Sequence, residues 1–202
     1  MSKKATGIRF LHYAPLTLDG DTYTFDTPKR LKDVEEVTAQ DTIVEGSNYA
    51  DNMQNIYISK ISGATLTLAI SNLDPEAEAD ITGCSYNSGE IETKSSDLPN
   101  AVAILYQKTY SDGSYANIIY YNCSLRRQDS NGKTEGENIE FTGDSLTGKA
   151  SPLPDEKIKY VLYSDKIGNN TELQRKLVNF FKEVQFKSEI TTEGESENQT
   201  TP

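Results

Sequence analysis

Hydrophobic and polar positions alternate most clearly over residues 98–125. Two runs rich in β-branched, aliphatic and tyrosine residues, 102–110 and 118–125, flank Ser111-Asp112-Gly113-Ser114. Both runs are strand length, and the glycine between them tolerates the positive φ of a tight reversal, so the segment predicts a β-hairpin. In the second run Ile119, Tyr121, Cys123 and Leu125 fall on one face and Tyr120, Asn122 and Ser124 on the other. That period of two assigns the first set to the core. The first run is apolar on both faces from Val102 to Leu105, which predicts cover on both sides. A lone hairpin is marginal in water, so other elements must pack on it.

Before the hairpin, residues 7–13 predict a short strand ending at Pro15, and Leu18-Asp19-Gly20-Asp21 a turn into 22–25. Residues 31–38 fit either a strand with Val34 and Val37 inward or a helical turn. From 41 to 55 the composition turns to Asp, Asn, Ser and Gly, with isolated Ile43, Val44, Tyr49 and Met53, which predicts a long polar loop. An amphipathic strand follows, with Thr65, Thr67 and Ala69 alternating against Leu66, Leu68 and Ile70. Asn72-Leu73-Asp74-Pro75-Glu76 then predicts a helix start with an Asx cap, and Ile81-Thr82-Gly83 its stop, so that Leu73, Ala77 and Ile81 face the sheet.

Residues 89–94 are extended. After the hairpin, Asn131-Gly132 predicts another reversal, and the extended pieces 138–141 and 146–150 are split by a kink at Gly143-Asp144. Residues 158–163 predict a strand. Asn169-Asn170-Thr171 caps an amphipathic helix over 172–184, with Leu173, Leu177, Phe180, Phe181 and Val184 on one face. The chain thus reads as one domain over 1–187 and an acidic, flexible arm over 188–202 that has almost nothing to bury.

Charge narrows the function. With 20 Lys and Arg against 31 Asp and Glu the net charge is −11, a surface that repels phosphate backbones on average. Twelve tyrosines, no tryptophan and a hydrophobic share of 35% suit a strand-rich protein with much polar surface. The start MSKKATG lacks the apolar core of a signal peptide, and no apolar run approaches the roughly 20 residues of a membrane span, so synthesis in the cytoplasm and no membrane partner are expected. Cys84 and Cys123, the only cysteines, are expected to be reduced and partly buried.

Catalytic and cofactor chemistry is weak. Gly143 to Ala150 nearly spells a phosphate-binding loop, but Ala150 has no hydroxyl for magnesium and Pro152 opposes the helix that would cradle phosphate. His12 is the only histidine and lacks a nearby cysteine or acidic partner pattern, so no nucleophile-base pair assembles around it. The Asp-rich turn after Leu18 lacks the ligand series of a calcium loop. Neither an enzyme nor a cofactor or metal site is expected.

Several short motifs occur in a fixed order: YAPLT from Tyr13, YADN from Tyr49, and a GATLTL strand followed by a helix ending in Ile81-Thr82-Gly83. DLPNAVAILYQ from Asp97, DGSYANIIYYNCSL from Asp112, KTEGENIEF from Lys133 and SLTGKA from Ser145 come next. Over roughly residues 7–185 this succession resembles the major tail proteins of long-tailed bacteriophages of Gram-positive hosts, the phi13-type group.

The resemblance implies a mainly β fold, a small antiparallel β-sandwich or barrel with one or two short flanking helices. It further implies hexameric rings stacked into the tail tube of the virion, meeting tail-tip, tape-measure and tail-terminator proteins and passing DNA through the lumen without tight binding. On that basis Asp41, Ile43, Tyr49, Asp51, Asn52 and Met53 are candidates for inter-subunit contact. Glu90, Glu92, Glu135, Glu137, Glu140 and Asp144 are candidate lumen-facing acids, because a DNA conduit must avoid electrostatic adhesion. The rival expectation is a monomeric β-sandwich adhesin or receptor-binding module.

Overall fold

The computed structural model describes residues 3–50, 53–130 and 143–188. In chain order the strands are β1 (Ala5–Asp19), β2 (Thr22–Phe25), β3 (Lys29–Arg30), β4 (Val34–Ala50) and β5 (Met53–Ile70). Helix α1 (Pro75–Thr82) follows, then β6 (Ser85–Asn87), β7 (Glu90–Glu92), β8 (Ala101–Tyr110), β9 (Tyr115–Ser130), β10 (Asp144–Ser151), β11 (Lys159–Tyr163) and helix α2 (Thr171–Asn179). The main sheet runs β2-β1-β8-β9-β10-β5-β4, with β11 beside the first half of β9 and β3 beside β1. Every pairing is antiparallel. The sheet curls until β4 comes back against β1, giving a sandwich or barrel-like body; β6 and β7 form a separate small ribbon.

The β8–β9 hairpin lies at the centre, and both its faces are buried. One core holds Leu11 and Tyr13 of β1, Leu66, Leu68 and Ile70 of β5, Val102, Ile104 and Tyr106 of β8, and Leu146 of β10. The other holds Ala14, Leu16, Ala103, Leu105, Leu153, Leu162 and Phe180. The sequence pattern misplaces half of β9. Val102 pairs with Cys123 but Ile104 with Tyr120, so β9 carries one extra residue at this point. Such a bulge inverts the alternation beyond it. Ile119 and Tyr121 therefore face the second core, whereas Cys123 and Leu125 face the first together with Tyr120, which is also buried.

Similar bulges explain the other local differences. β1 does not end at Pro15 but continues to Asp19 to pair with β2, and an extra residue between Arg9 and His12 leaves Phe10 half-exposed at φ 55°. Val34 and Val37 both reach the core, although three residues apart, because β4 is bulged between Val34 and Glu36. The near-phosphate-loop segment is strand β10. Its Gly148 is set by close approach, since a Cβ there would lie 1.9 Å from the Ser124 carbonyl oxygen.

Both helices are short and pack on opposite faces. α1 buries Ala77 and Ile81 on the first core and stops at Gly83, whose φ of 74° favours glycine. Asp74 occupies its N-cap position without a side-chain cap; instead the Asp144 carboxylate accepts from the Leu73 N–H at 3.4 Å. α2 is capped as expected, Asn170 Oδ1 accepting from the Leu173 N–H at 3.0 Å, but it ends at Asn179 rather than 184. Phe180, Phe181 and Val184 still pack on the second core from the turn beyond it. Neither helix is long and apolar enough to cross a membrane.

The cysteines differ sharply. Cys123 is wholly buried, which pushes its thiol far above the ordinary range, while Cys84 is only partly buried and accepts from the Thr82 hydroxyl at 3.2 Å. Iodoacetamide on the native protein is expected to modify Cys84 alone, and peptide mapping reads the outcome. Equal labelling of Cys123 without denaturant would show that the hairpin core opens.

Candidate assembly surface

The feature that sets this molecule apart grows out of β5. From Ala64 to Ile70 the strand pairs with β10 on one side and β4 on the other. β10 ends its pairing at Ala64, and a Cβ at Gly63 would lie 2.5 Å from the Ala150 carbonyl oxygen, so glycine marks where β5 leaves the sheet. Beyond it, among the described residues, β4 and β5 pair only with each other, from Thr42–Gly63 out to Ala50–Met53. At about 3.3 Å per residue this two-stranded arm is about 30 Å long. The expectation of a polar loop over 41–55 is corrected here: residues 41–50 are strand and pair with 53–64, which satisfies their backbone.

The arm exposes apolar side chains on both faces. Cross-strand partners share a face, so Ile43 and Ile61 lie together with Tyr57, paired to Ser47, further along. Val44 and Ile58 belong to the opposite face. All five are exposed, Ile58 most of all at 61%. Grouped exposed apolar residues of this kind mark interaction sites, and an isolated two-stranded ribbon needs a partner to be firmly ordered. The arm is tethered at its root, where Lys159 Nζ of β11 donates to both Asp41 oxygens at 2.7 and 2.9 Å. Burial pulls the Lys159 ammonium pKa down, but the hydrogen bond to Asp41 and the nearby Tyr120 and Asp41 outweigh it and leave it raised.

The other candidates scatter. Ile43 is on the arm and exposed, Asp41 is committed to Lys159, Tyr49 and Met53 sit in the paired backbone near its tip, and Asp51 and Asn52 lie outside the described residues. Glu90 and Glu92 are exposed on the β6–β7 ribbon, where Glu92 meets Lys94 at 3.3 Å. Glu135, Glu137 and Glu140 lie outside the described residues. Asp144 is engaged inside the subunit, accepting from Arg127 as well as from Leu73. The same guanidinium donates to both oxygens of the nearly buried Glu78 at 3.1 and 2.9 Å, clamping α1 to β9 and β10.

Sequence reasoning missed Tyr57, Ile58 and Ile61 as surface residues. The available signal was the apolar cluster of residues 56, 57, 58 and 61 ahead of Gly63, in a strand whose core-facing alternation begins only at Ala64. No protein-family model and no curated protein matches the chain.

Proposed function

We propose that the chain is the tail-tube subunit of a long-tailed bacteriophage, a structural rather than catalytic protein whose copies form hexameric rings that stack into the conduit for genome delivery. The observation that carries this is the projecting β4–β5 arm with apolar side chains on both faces, which has no further partner strand among the described residues. Covering each large apolar side chain is worth roughly 1.5–3 kcal/mol, so contacts made only on assembly repay the ordering of the arm. An antiparallel body buried on both faces supplies the rigid base, and a net charge of −11 suits a lumen that must not hold DNA. Of the candidate acids among the described residues, Glu90 and Glu92 are exposed and can face that lumen, whereas Asp144 serves the subunit's own packing. Such a subunit is made in the host cytoplasm, resides in the virion tail and meets tape-measure, tail-tip and tail-terminator proteins.

Sedimentation velocity tests the proposal. The purified chain is expected to form discrete higher species whose share grows with concentration. A single 22.4 kDa species at every concentration would favour a monomeric binding module instead.

A further inference from the structure

We infer that the acidic C-terminal segment, residues 189–202, seats on a cationic hollow of the same copy formed by Arg9, Arg30 and Lys32. The hollow has a volume of about 290 Å³ between the bulged part of β1 and the β3–β4 connection, and Asp33 is the one carboxylate in its lining. All three cations are exposed, and among the described residues none of them forms an ion pair. The site is also built. Phe10 holds φ of 55° there, uncommon for a bulky residue, and Asp33 shares the value, as aspartate readily does. Beneath them Leu11 and Leu31 are buried and joined by a 2.9 Å backbone hydrogen bond, and the Arg30 guanidinium lies 5.5 Å from the centre of the Phe10 ring.

Charge and reach select the occupant. Residues 189–202 carry Glu189, Glu193, Glu195 and Glu197 and no lysine or arginine. The preceding Ser188 is held against α2, its hydroxyl donating to the Glu172 carboxylate in the first turn and accepting from Lys176 at 2.7 Å. The chain beyond the other end of α2 brings the Phe181 ring to 5.8 Å from Phe10. The helix between is only about 13 Å long, while fourteen extended residues span up to about 46 Å. The segment can therefore run back along α2 and reach the hollow, at an effective concentration on the order of millimolar. Seated there, it masks cations that would otherwise attract DNA phosphates or the acidic faces of other copies. This holds whether or not the chain builds a tube.

Zero-length carbodiimide cross-linking of the full chain, dilute and at low salt, tests the contact. Equal amounts of isotopically light and heavy protein are mixed and the cross-linked peptides mapped. Lys32 is expected to be the main partner of Glu193, Glu195 and Glu197, in pairs of one isotope only. That yield is expected to fall about fivefold or more at about 0.5 M salt and in the R9E/R30E variant. The salt arm needs no substitution, so a misfolded variant does not blunt the test. Cross-links confined to Lys182 and Lys187 near the base of the segment, a yield indifferent to salt, or abundant light–heavy pairs would overturn the inference.

Discussion

Truncating Tyr121 to alanine is expected to destabilise the subunit by about 3–5 kcal/mol, the range for removing a large buried aromatic. Its ring is fully buried and stacks on Phe186 with centroids 4.9 Å apart and planes within 6°, and its hydroxyl donates to the Gln185 carbonyl at 2.8 Å. The substitution thus opens a cavity in the second core and releases the chain that follows α2. Tyr121→Phe keeps the ring and loses one hydrogen bond, a change of about 1 kcal/mol. Tyr120→Ala is expected to be costly as well, about 2–5 kcal/mol, because the bulge turns Tyr120 into the other core. Asn122→Ala, by contrast, removes a half-buried side chain whose amide donates to the Pro152 carbonyl in an exposed setting, and should stay within about 1 kcal/mol. Urea unfolding ranks the four. A harmless Tyr120→Ala would show that β9 has an open face.

Placing charges on the arm is expected to do the reverse, sparing the subunit and abolishing its assembly. Ile43→Asp combined with Ile58→Asp puts a carboxylate on each face of the arm, at positions exposed in the single chain, so subunit stability should move by no more than about 0.5 kcal/mol per site. In a contact that covers both faces each substitution forfeits roughly 1.5–3 kcal/mol of apolar burial and adds the desolvation of a charge. Since about 1.4 kcal/mol is tenfold in an equilibrium constant, the double variant weakens each contact by at least about 100-fold. The effect multiplies around a ring. Unchanged assembly of the double variant, measured beside unaltered thermal unfolding, would remove the arm from the interface.

The two properties were unequally legible in the sequence. The β8–β9 hairpin, the alternation of β5 and the cap of α2 rest on local signals, and the structure places all three where those signals lie. The phase flip in β9 does not rest on such a signal, because a bulge is specified by which residue of β8 meets which residue of β9. The arm was hidden for a related reason. Asp, Asn, Ser and Gly dilute residues 41–50, and nothing local records that they pair with 53–64 across the tip. An assembly surface of the kind proposed for the arm also inverts the usual rule, since Tyr57 and Ile58 are large apolar side chains left exposed in the single chain. Asp144 illustrates the opposite error: an acid in a turn-rich stretch looks solvated, yet it is spent on Arg127 and the start of α1.

Negative-stain electron microscopy of the purified chain tests the central claim most directly, with the Ile43→Asp/Ile58→Asp variant on a parallel grid. The account predicts rings and stacked tubes of uniform width for the natural sequence and only small globules for the variant. Globules alone from the natural sequence at every concentration, or tubes that survive both substitutions, would contradict it.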